Sequence, residues 1–142
     1  MKSQRCQRTR HANHSALGVN LNLRKYTDML KRGKVSVWIG NIYPENELLS
    51  YVDNGNFGLD FDFETNPRMR RELTSEIKAV GVEKLVLGFS SWKAFADAFV
   101  ERATSRGITA AKSLVVLYAF EYEICPKVNP KAPLSFAGVF DF

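Results

Sequence analysis

The chain has 142 residues, 45% of them hydrophobic, 25% charged and 12% aromatic, with a formal net charge of +5. That length is one ordinary domain, able to bury a core without metals or disulfide staples, and the aromatic content excludes an intrinsically disordered chain. Of 20 basic and 15 acidic side chains, six and one lie in residues 1–28 (Lys2, Arg5, Arg8, Arg10, Arg24 and Lys25 against Asp28), leaving 14 of each sign in residues 29–142 and no general bias there toward polyanions.

Residues 1–33 read as a basic, flexible N-terminal extension, rich in Arg, Asn, Gln and Ser up to residue 28. Met29 is a candidate natural start. The folded domain is expected over 34–142. It opens with Val35-Ser36-Val37-Trp38-Ile39-Gly40-Asn41, whose apolar residues recur at strand period. Pro44 suits the first turn of a helix carrying Leu48, Leu49 and Val52, and Asn54-Gly55 ends it.

Phe57 to Glu64 alternates strictly, with Phe57, Leu59, Phe61 and Phe63 on one face and Asp60, Asp62 and Glu64 on the other, and reads as a strand. Asn66-Pro67 marks a helix start, and Met69, Leu73, Ile77 and Val80 keep helical spacing up to Gly81. On that helix Arg68 and Glu72 would pair at i, i+4. Lys84 to Phe89 reads as a short apolar strand. Trp92, Phe95, Ala96, Phe99, Val100 and Ala103 form the clearest amphipathic helix, closed by Gly107. Leu114 to Tyr122 and Leu134 to Phe142 read as strands, separated by a loop with Pro126, Pro130 and Pro133. The expected fold is α+β, in the order β-α-β-α-β-α-β-β: a mixed sheet with helices packed on it and a C-terminal antiparallel strand pair.

The chemistry on offer is sparse. Both histidines, His11 and His14, precede residue 29, so the expected domain has no His-based triad. No glycine-rich phosphate loop and no zinc spacing appears, and the two cysteines, Cys6 and Cys125, suit a reduced, cytoplasmic setting. The longest apolar run, Leu114 to Phe120, is too short to span a bilayer. The expectation is a non-enzyme with no cofactor, no metal and no membrane association.

One cluster stands out. On a strand, Asp60, Asp62 and Glu64 would project from one face about 7 Å apart. Such a row suits a solvated, aggregation-blocking face, a contact for a basic partner, or a site for a divalent cation or acid–base work. Trp38 alternates out of phase with Val37 and Ile39, so it suits either a buried place under a helix or a contact on a binding surface. Trp92 heads an apolar stripe and reads as core. Glu121, Tyr122 and Glu123 give the end of the long strand an aromatic, acidic character that suits an interface or an ordinary sheet end.

Four segments taken together resemble the immunity protein 22 family of bacterial polymorphic toxin systems. They are Val35 to Asn41 with Glu45, Glu47, Leu48 and Tyr51 after it; Phe57 to Asp62; Ala111 to Tyr118 running into Phe120-Glu121-Tyr122; and Phe136 to Asp141. Pro44 and the extension before Met29 depart from the family pattern. The resemblance implies an α+β protein that neutralises a cognate toxin domain by binding it, without catalysis. Carboxylates Asp60, Asp62 and Glu64, with Trp38, Asn41 and Tyr43, are the expected contact residues, mimicking phosphate if the toxin acts on nucleic acid. Two other functions compete: a nucleic-acid-binding module using the basic extension, and a divalent-metal hydrolase using the Asp60, Asp62 and Glu64 face. The toxin's identity and the oligomeric state are not legible.

Overall fold

Val35–Ile39 and Leu114–Tyr118 are nearly unbroken apolar runs, the pattern of strands buried on both faces. In the computed structural model, which describes residues 23–142, they are the middles of the two central strands, β2 (Leu30–Gly40) and β5 (Ala110–Phe120). These pair antiparallel, with Val37 opposite Val116 and Trp38 opposite Val115. β4 (Arg70–Gly81) flanks β5 and β6 (Leu134–Asp141) flanks β2, giving the order β4-β5-β2-β6. The C-terminal strand thus makes its antiparallel pair with β2, and β5 lies on the other side of β2. A second, two-stranded sheet pairs β1 (Arg24–Lys25) with β3 (Phe63–Glu64) in parallel. The fold is α+β, with parallel and antiparallel pairing both present.

Each face of the four-stranded sheet has its own core. On one, α3 (Val82–Leu85) and α4 (Trp92–Ser105) set Val82, Leu85, Phe95, Phe99 and Ala103 against Val35, Val37, Leu114 and Val116. On the other, α1 (Glu45–Asp53) and α2 (Asn56–Phe61) set Leu48, Val52, Phe57 and Phe61 against Trp38, Val115 and Leu117. Pro44 is the residue just before α1, joined to Tyr43 by a cis peptide bond.

Three expected elements come out differently. Phe57–Phe61 is helical, because a spacing of four satisfies a helix as well as a strand: Phe57 and Phe61 are buried on one face of α2, while Leu59 is 51% exposed. Asn54 Oδ1 accepts the Asn56 amide at 2.9 Å where α2 begins, and Asp62, in a left-handed conformation (φ 67°), ends it. Only Phe63–Glu64 is strand. Conversely, the segment read as a helix from Asn66 to Val80 is mostly β4. Met69 and Leu73, also four apart, share the face over the second core. Asn66 caps a turn instead of a helix, taking the Arg68 amide on Oδ1 at 2.7 Å. The open edge of β5 supplies the pairing that wins over local helical spacing. Residues 84–89 form a helical turn and a loop, with Leu85, Val86 and Phe89 buried and Leu87 outside.

The ordered body also starts earlier than Lys34. Tyr26 and Met29 are buried in a 3₁₀ turn (Tyr26–Met29), and Tyr26 stacks on Phe120 with ring centroids 4.9 Å apart. Residues 24–33 therefore belong to the domain. The rest of the expected extension, residues 1–22, lies outside the described residues.

Candidate partner-binding surface

The six expected contact residues do not come together. Trp38 is fully buried, ringed by Phe57, Phe61, Tyr122 and Phe136 with centroids 4.9 to 5.7 Å away, so it is a core residue. Asn41 is exposed at the end of β2 and accepts the Lys112 amide at 3.2 Å. Tyr43 is 46% exposed.

The three carboxylates take separate places, because the chain turns through the left-handed residue Asp62 and never forms the expected strand face. Asp60, on α2, accepts the Tyr51 hydroxyl at 2.6 Å and the Asn129 amide group at 2.9 Å, joining α1, α2 and the loop before β6. Burial, then that bond to Asp60, pushes the Tyr51 pKa well up. Asp62 is buried against Arg24, 3.2 Å away, and takes the Cys125 thiol at 3.4 Å. Glu64 is exposed on β3. Among the described residues no group of three or more His, Cys, Asp or Glu is placed to hold a metal ion. Among the described residues no helix is long and apolar enough to cross a membrane.

Sequence spacing did not point to the open side of β4. This strand ends the sheet order, so among the described residues one edge of its backbone has no strand beside it. A cleft of about 430 Å³ runs there, between Glu45 and Leu49 of α1 and the turn at Leu87, with Arg71 to Thr74 as its floor. Because α1 and α3 cover opposite faces of the sheet, Leu49 and Leu87 flank the β4 edge from opposite sides. Leu49 is 38% and Leu87 51% exposed. Beyond Ser75 the pairing with β5 slips, and residues 76–79 bulge outward with Ile77 65% exposed. A bulge of this kind limits how far an added strand could run along the edge.

The charges along the cleft are sorted. Arg71 Nε and Nη2 bind Asp53 at 2.8 and 2.6 Å, so this cation is matched in a two-pronged pair. The expected Arg68–Glu72 pair is replaced by neutral donors: Glu72 takes the Ser90 amide at 2.8 Å, the Ser90 hydroxyl, and the Tyr118 hydroxyl at 3.1 Å. Burial pushes the Glu72 pKa up. The Ser90 and Tyr118 donors and the nearby Arg70 charge outweigh it and hold the carboxyl below its usual value. Glu72 and Glu45 thus leave the rim acidic.

A larger cleft, about 660 Å³, lies beside β6. Its walls mix Arg102, Arg106 and Lys31 with Asp28, Glu121 and Glu123. There Arg106 Nη1 already donates to the Phe136 carbonyl at 2.9 Å, and Arg102 lies over the Phe140 ring at 5.4 Å. The β4 cleft, with an open edge, is the better docking surface.

The sequence carried little signal for it. Leu49 falls in the apolar stripe of Leu48, Leu49 and Val52, and Leu87 in an apolar run that reads as a strand. No family model, no curated protein and no solved structure matches this chain.

Proposed function

We propose that the chain is a non-catalytic immunity protein that neutralises a bacterial toxin in the cytoplasm by binding it, with the β4 cleft at the centre of the contact. One observation carries the reading: an open strand edge flanked by two exposed leucines, with acidic side chains at the rim. An apolar centre inside a polar rim is the anatomy of a protein–protein contact. The four segments that resemble the immunity family lie on β2, α1, α2, β5 and β6, which together build the scaffold behind that edge.

Neutralisation needs a surface formed in advance and of adequate size, about 800 Å² per partner. The cleft would be the middle of such a patch, reaching Tyr43 beyond α1 and Ile77 on the bulge. Of the cations expected to serve nucleic-acid binding, Arg24 is instead buried against Asp62.

The test is co-expression with the C-terminal domain of the toxin encoded beside this gene. The expected result is restored growth and a stable complex on size-exclusion chromatography. Undiminished toxicity with no complex would overturn the proposal.

A further inference from the structure

Resting on the binding reading above, we infer that the partner engages the β4 edge by strand addition, using an extended segment in which two consecutive apolar residues are flanked by lysine or arginine. Each part of that description follows from the geometry. The edge from Arg70 to Ser75 keeps regular register with β5, opposite Tyr118 to Ser113, so its backbone is held extended along a six-residue run. An added strand would take up the outward backbone groups of that run. The bulge at residues 76–79 sets one end of the available length.

The apolar pair follows from the two leucines. Neighbouring side chains on a strand point to opposite faces. Leu49 and Leu87 stand on opposite faces of the same edge, so one segment touches both with an apolar residue on each of its faces, most simply two adjacent ones. The flanking cations follow from charge. Arg71 is already matched by Asp53, which leaves Glu45 and Glu72, the latter bonded by the Ser90 and Tyr118 donors, as the carboxylates that line the cleft. An acidic segment would meet like charge here.

Two arms test this on the full chain. In the first, the blocked hexapeptide Lys-Lys-Val-Ile-Lys-Lys is titrated while backbone amide exchange is followed by NMR. Slowed exchange at alternate residues of Arg70–Ser75, and affinity falling at least about tenfold in Leu87→Ser and Leu49→Ser, support the inference. Saturation with no change at those amides, or equal binding by the two variants or by a peptide with Glu in place of Lys, overturns it. A free protein that is already dimeric, with the β4 amides protected, also overturns it, because a second copy is then the occupant.

The second arm repeats both measurements with the toxin domain. A complex insensitive to both leucine variants sinks strand addition and leaves toxin binding standing. A peptide seated on β4 with no toxin complex does the reverse.

Discussion

Arg24 and Asp62 form a buried ion pair: Arg24 Nε lies 3.2 Å from Asp62 Oδ2, and neither side chain is more than 3% exposed. The guanidinium also donates to the carbonyls of Asp62, Glu123 and Phe61 at 3.0, 2.7 and 3.3 Å. One side chain therefore ties β1 to the end of α2 and to the segment after β5. Breaking such a pair leaves a charge in a site that water does not reach.

Arg24→Met is expected to cost about 3–5 kcal/mol, read as a lower midpoint in urea unfolding. The double change Arg24→Met with Asp62→Leu should recover part of that loss, because it removes the buried carboxylate as well. A chain beginning at Met29 should lose at least as much, because β1 and the buried Tyr26 go with Arg24. Equal midpoints for the wild type and the shortened chain would refute this account.

Phe57 and Leu59 separate the helical from the strand arrangement of residues 57–63. Phe57 is fully buried, within ring contact of Trp38 and Tyr51, whereas Leu59 points outward. Phe57→Ala is expected to lose about 3–5 kcal/mol, and Leu59→Ala less than about 0.5 kcal/mol. Comparable losses at both sites would restore the strand.

Gly58 lies where α2 passes beneath the strand that follows it. A methyl group there would collide with the Phe63 carbonyl, a backbone atom that cannot swing aside. Gly58→Ala should destabilise by about 1–3 kcal/mol, visible in thermal melts, despite alanine's higher helix propensity. A neutral or stabilising change would mean that β3 does not cross there.

Acid should weaken the β4 side of the molecule. The bond from Arg71 holds the Asp53 pKa below its ordinary 3.8, and Glu72 is held below 4.5. A depressed folded pKa contributes stability above the unfolded value and loses it as pH falls through the folded one, so the window lies below those ordinary values. Between about pH 6 and about pH 3, the wild type should lose more stability than the Asp53→Asn, Glu72→Gln double variant. Parallel losses in urea midpoint would exclude these two carboxylates as contributors.

Much of the scaffold was legible from the residues alone. The runs at Val35–Ile39 and Leu114–Tyr118 announced strands by their β-branched and aromatic content, and Trp92 to Ala103 announced a helix by its i, i+3, i+4 spacing. Phe57/Phe61 and Met69/Leu73 are each four apart, a spacing that serves both periods. For those pairs the choice lay outside the segment: the free edge of β5 drew residues 70–81 into the sheet, and the need to cover Trp38 curled residues 56–61 into a helix.

The candidate site was almost wholly a tertiary matter. Composition established a core-forming chain whose excess cations gather at the N-terminus. It could not tell that Asp60, Asp62 and Glu64 part company, that Arg24 is drawn inside, or that Leu49 and Leu87 flank one strand edge. Burial and edge exposure are relations between distant segments, set by which strands pair and which faces are covered. Local spacing describes a segment's own geometry and leaves those relations open.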